Sequence, residues 1–166
     1  GAIDTTSGAA AGVVDITTGT GIVLGGGTIN TQGGAVTMNA AVTQAAGMDI
    51  DTTNGAVAGA DVDFTSTIDG ATFDLTIDGG TGGNITLADA LTNGGAVLIE
   101  DANDVSAQAI TATSLTQTTG TGTSTFNGAI DTTSGAAAGV VDITTGTGIV
   151  LGGGTINTQG GAVTMN

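Results

Sequence analysis

Asp49, Asp74 and Glu100 are the side chains whose type and spacing most suggest chemistry, because they recur at an interval of about 25 residues, each beside apolar neighbours. In a solenoid whose coil is of that length they stack on one outer face. Carboxylates about 5 Å apart repel by roughly 1 kcal/mol per pair in water, and by several times more at lower effective dielectric. Ca²⁺ takes oxygen ligands and would relieve that repulsion, which makes these three the candidate metal ligands and calcium the candidate cofactor. Asp63 with Asp89, and Asp78 with Asp104, repeat nearly the same spacing. The same acids also suit a solvated surface screened by ordinary salt.

Around these acids little else can react. The 166 residues carry 15 Asp and Glu and no Lys, Arg, His, Cys, Pro, Trp or Tyr, for a net charge of −15. Most general bases, strong nucleophiles and oxyanion-stabilising cations are therefore missing, and an enzyme is not expected. Nucleic-acid binding requires Lys and Arg against phosphate, and attraction to anionic lipid requires the same charge, so neither partner is expected. Paired carboxylates for glycoside hydrolysis are the one catalytic constellation left, and Asp residues recur too often to single out a pair. Without cysteine there are no disulfides and no thiolate metal sites. No apolar run is long enough to span a membrane, and the first residues do not form a basic, hydrophobic targeting segment.

Two further patterns carry weaker signals. Gly79 to Leu87, GGTGGNITL, partly matches a Gly-rich calcium β-roll, with Asn84 where that pattern has Asp and Thr86 where it has a large apolar residue. It reads better as a Gly-rich turn. Alternating threonines at Thr65/Thr67, Thr111/Thr113 and Thr121/Thr123/Thr125 resemble ice-binding hydroxyl arrays, but they are scattered instead of recurring on every coil.

The elements that position these residues come from a repeat. Residues 1 to 39 recur unchanged as residues 128 to 166, an offset of 127. The chain thus holds one full unit, 1–127, and the start of the next, 128–166, without a linker, and is expected to be a window on a longer array. Within the unit, short apolar clusters centred on Thr37, Ile50, Asp63, Leu75, Thr86, Leu98 and Thr111 follow one another at intervals of about 12 residues. Met48 and Ile50 alternate with Asp49 and Asp51, and Phe73, Leu75 and Ile77 alternate with Asp74, Thr76 and Asp78. That is the period of a strand with one buried face. Gly-rich and Asx-rich breaks such as Gly25 to Gly27, Gly79-Gly80 and Asn93-Gly94-Gly95 supply the turns.

These features predict an all-β fold, a parallel β-solenoid (right-handed β-helix) with about 25 residues per coil and about five coils per 127-residue repeat. In that register Ile50, Leu75 and Leu98 stack in one column, and Asp63, Thr86 and Thr111 mark the opposite wall. A six-coil reading, with about 21 residues and three strands per coil, also accommodates the unit. Sheet spacing makes the 127-residue unit roughly 24 Å long on the five-coil count.

The Thr/Gly/Asx-rich strands, with stretches such as SLTQTTGTGTSTFNGAIDTT (Ser114 to Thr133) and GGAVTMNAAVTQAAG (Gly33 to Gly47), and the long exact repeat resemble the strand-repeat regions of filamentous-haemagglutinin-like bacterial adhesins. The resemblance covers the whole chain as texture and supplies no signature motif. It implies secretion, a right-handed β-helical stalk, and a role in adhesion, sheath or biofilm structure. The expected function is a structural segment of an extracellular tandem-repeat fibre at the cell surface, its partners being copies of itself or adjacent repeats end to end. The alternatives are an adhesin stalk or calcium-binding surface module, and a small secreted subunit that polymerises end to end.

Overall fold

The computed structural model describes residues 1–7, 11–55 and 58–166. Among them are 22 short strands and no helix. Every strand pairing is parallel, and successive strands go in strict rotation to three sheets, so three strands complete one coil. The first face carries Ile3–Asp4, Gly27–Asn30, Met48–Asp51, Leu75–Asp78, Ala96–Ile99, Ser114–Gln117, Val141–Ile143 and Val163–Met165. The second carries Val14–Ile16, Val36–Met38, Val62–Phe64, Ile85–Leu87, Val105–Ala107, Thr123–Phe126 and Gly148–Leu151. The third carries Ile22–Leu24, Val42–Gln44, Ile68–Asp69, Leu91–Thr92, Ile110–Thr111, Ile130–Asp131 and Ile156–Asn157.

The fold is the expected all-β parallel solenoid of the right-handed β-helix type, but with about seven coils of roughly 22 residues, shorter than the coil expected from the longer clusters. The three-strand coil is the geometry of the six-coil reading. Ile50, Leu75 and Leu98 lie on the first face but do not form the expected column: Ile50 stacks on Ile77, Leu75 on Met48 and Val97, and Leu98 on Thr76 on the outer side. Asp63 and Thr86 are register partners on the second face, whereas Thr111 belongs to the third.

Alternation builds the core directly. On the first face an isoleucine ladder runs inward through Ile3, Ile29, Ile50, Ile77 and Ile99, each in register with the next. Gln117 then takes the isoleucine position before Ile143 resumes the ladder. On the second face the inward ladder runs Ile16, Met38, Phe64, Leu87, Ala107, Phe126, with small Ala107 between bulky Leu87 and Phe126. Such a thin core fills by complementary sizes along the axis, each side chain packing chiefly on the coils above and below.

Corners are closed by small residues and by hydroxyls. Buried Thr52 both accepts from the Ala60 amide at 2.9 Å and donates to the Ala60 carbonyl at 3.0 Å. Thr5 acts similarly, donating to the Gly12 carbonyl at 2.9 Å. At Gly83 the backbone packs so closely on Ala60 and Gly79 that a Cβ would collide with both carbonyl oxygens.

Candidate functional site

The fold assigns the candidate carboxylates places that linear spacing does not foresee. Asp49 points outward in mid-strand, between Thr28 and Thr76 in register. Asp74 precedes its strand, and its Oδ1 accepts from the Ala96 amide at 2.7 Å, tying one coil to the next. Glu100 follows the strand Ala96–Ile99, with its amide donating to the Ile77 carbonyl at 2.9 Å. The three therefore occupy different positions across the first face and do not stack. The cause is unequal coil length: the path from Ile50 to its partner Ile77 is longer than that from Ile77 to Ile99, so a constant interval slips out of register at each step.

Two of the acids that do meet are Asp51 and Asp78, direct register partners, and Glu100 continues their row. Burial pushes Asp49, Asp78 and Glu100 above the ordinary carboxylate range, and neighbouring carboxylates push the same way, Asp51 acting on all three. Among the described residues no group of three or more acidic side chains is arranged to hold a metal ion.

What most of these acids do is hold corners. In the recurring Ile-Asp-Thr-Thr motif the Asp Oδ1 accepts from both the amide and the hydroxyl of the Thr two residues on. The lengths are 2.9 and 2.6 Å for Asp4 with Thr6, 2.7 and 2.7 Å for Asp51 with Thr53, and 2.9 and 2.7 Å for Asp131 with Thr133. Asp78 accepts from the Gly80 amide at 2.9 Å and Asp69 from the Ala71 amide at 3.1 Å in the same way. Asp61 accepts from the Asn84 amide at 2.8 Å and Asp104 from the Thr123 amide at 2.7 Å, so these two reach up to the next coil. Fourteen of the fifteen acids are Asp and one is Glu. The short Asp side chain reaches the amide two residues on in an Asx turn, and Glu does not fit that geometry.

A pH dependence follows. A carboxyl whose pKa is raised on folding is penalised in the native state when ionised, so stability increases as pH falls through its folded pKa and levels off at its ordinary value. For Asp49, Asp78 and Glu100 that window lies above 3.8, 3.8 and 4.5. Asp4 and Asp131 behave oppositely, because the Thr6 and Thr133 hydroxyls and amides stabilise their charged forms, and their contribution is lost only below 3.8. The expected result is a melting temperature that rises as the pH falls from 7 toward the ordinary carboxylate range and falls again in stronger acid. Asp49→Asn should flatten the rise, as melting followed by circular dichroism against pH would register. A melting temperature that drops steadily from pH 7 would contradict the assignment.

Sequence reasoning missed the buried polar pair Gln117 and Ser124. Ser124 Oγ donates to Gln117 Oε1 at 2.7 Å, and Gln117 Nε2 donates to the Thr119 carbonyl at 3.2 Å, so both polar intrusions into the ladders are partnered. A signal for it exists: in SLTQ and TSTF the alternation puts Gln117 on the side of Leu115, and Ser124 on that of Phe126. The Gly79 to Leu87 stretch forms a tight turn leading into the strand Ile85–Leu87, in which Gly83 donates to the Gly79 carbonyl at 3.2 Å.

Comparison of this chain with known protein families, with curated proteins and with solved structures finds no match.

Proposed function

We propose that this chain is a structural segment of an extracellular tandem-repeat fibre or cell-surface filament, in which identical 127-residue units continue one another as a single solenoid. The observation that supports it is a difference in exposure between identical residues. Leu24, Val36 and Met38 are 7%, 0% and 0% exposed, whereas their second copies Leu151, Val163 and Met165 are 52%, 48% and 36% exposed. The first copies are covered by the coil that follows, with Val42–Gln44 on Ile22–Leu24, Met48–Asp51 on Gly27–Asn30 and Val62–Phe64 on Val36–Met38. A following unit offers the same coil to the second copies.

The opposite end is open in the same way, which suits both the covalent array and the alternative, a small subunit that polymerises without covalent linkage. Ile3 is exposed there while its copy Ile130 is buried, and Gly1, Ile3, Ile22, Leu24 and Ile29 line a concavity. The absence of Lys and Arg removes every trypsin-type cleavage site, and net charge of −15 opposes lateral clumping, both of which suit a fibre outside the cell. The resemblance to filamentous-haemagglutinin-like adhesins points the same way.

Chains lengthened by one and by two further units test the reading. Each unit is expected to add about 27 Å of length in small-angle scattering, at about 4.8 Å per coil, and to raise the melting temperature. Lengthened chains that fold as separate compact bodies would overturn it. Concentration-dependent sedimentation of the 166-residue chain separates the polymerising subunit from the covalent array.

A further inference from the structure

Among the described residues, the two copies of residues 1–39 form their five strands in the same order but on different faces. Ile3 pairs with Ile29 on the first face, and the equivalent Ile130 pairs with Ile156 on the third. Val14 pairs with Val36 on the second, and Val141 with Val163 on the first. Corner details are shared as well: Thr31 and Thr158 each donate to the carbonyl three residues on, and Gly34 and Gly161 pack on the backbone of Gly12 and Gly139 respectively. From Ile3–Asp4 to its copy Ile130–Asp131 the chain advances 17 strands, one short of the 18 that make six full coils.

We infer that successive units of this repeat are turned by one face relative to each other, so that the array is a three-fold screw and its end accepts the next unit one face round. This rests on the array reading above. The unit is out of phase with the coil by one strand, and the phase is restored only after three units, or 17 coils. The three sheets must then be interchangeable: a segment that builds the first face in one unit builds the third face in the next, with the same corner bonds. Any surface feature of the unit is accordingly displayed in three directions along the fibre. No stripe made of one feature runs down one side, and two fibres cannot zip together along a single repeated patch.

The absence of native cysteine makes the test direct. On the second face Asp15, Thr37, Asp63, Thr86, Ser106, Thr125 and Val150 form one outward row in continuous register. Asp142, the sequence equivalent of Asp15, lies instead on the first face. Spin labels on D15C/V150C and on D15C/D142C are to be compared by pulsed dipolar spectroscopy in the 166-residue chain. Axially the first pair is six coils apart, about 29 Å, and the second about 27 Å. The turn adds a lateral component to the second pair only, so its distance is expected to be the longer of the two. A second distance equal to or shorter than the first would overturn the inference, because in-phase units put Asp142 directly above Asp15. Circular dichroism identifies a labelled chain that has not folded, and the Thr37/Thr164 pair, also about 27 Å apart along the axis, then replaces D15C/D142C in the same comparison with D15C/V150C. In fibres of joined units, an axial repeat of about 82 Å is expected, and one of about 27 Å would contradict the screw. Failure to form fibres at all would count against the array reading while leaving the label distances to decide the phase.

Discussion

Met38→Ala is expected to destabilise the chain by about 2–5 kcal/mol, and Met165→Ala, the same change in the same sequence context, by about 1 kcal/mol or less. Met38 is fully buried between Ile16 and Phe64 on the second face. Its removal forfeits the transfer free energy of the side chain and opens a cavity that the stacked sheets cannot collapse, since neighbouring coils are fixed by ladders of backbone hydrogen bonds. Met165 packs on Ile143 from one side and has solvent on the other. The sequence preceding the two methionines is identical, which limits propensity and unfolded-state differences and leaves burial as the main one. Chemical denaturation of the two variants measures it. Equal costs would show that the last coil is covered by some other part of the chain.

Gly83→Ala is the second large effect, with an expected loss of about 3 kcal/mol. The added Cβ meets the carbonyl oxygens of Ala60 and Gly79, both backbone atoms and neither able to rotate away. Relief requires separating two coils at a corner where the Asn103 amide donates to the Gly83 carbonyl at 2.7 Å and the Gly82 amide to the Ala58 carbonyl at 2.7 Å. Gly148→Ala is the matched control, because nothing lies within 4 Å of a Cβ there. Its expected cost is about 0.5 kcal/mol or less. A neutral Gly83→Ala in thermal melts would mean that this corner is looser than its hydrogen bonds imply.

Strand identity is legible because burial writes period-2 alternation into the sequence. Met48 and Ile50, or Leu75 and Ile77, name their buried side without any knowledge of the sheet. The coil count is not legible. Ile68–Asp69, Leu91–Thr92, Ile110–Thr111 and Ile130–Asp131 build most of the third face with two residues each, too few to show alternation. Counting only the longer clusters gives two strands per coil and too long a period. The expected stacking of Asp49, Asp74 and Glu100 fails for the same reason, since register depends on the actual lengths of individual coils. The corner role of the acids is partly visible, because Ile-Asp-Thr-Thr occurs at residues 3–6, 50–53 and 130–133, and Asx-turn chemistry predicts its bonds. The turn of the repeat by one face cannot be read from the offset of 127 alone, because it requires the number of strands in the unit.

The most direct test of a continuing solenoid is the cost of Met165→Ala in a chain lengthened after Asn166 by the sequence of residues 40–127. If the next unit lays its first coil on the exposed edge as residues 40–64 do in the first, the cost should rise from about 1 kcal/mol or less to the ~2–5 kcal/mol of Met38→Ala. A cost that stays where it was in the shorter chain would contradict the account.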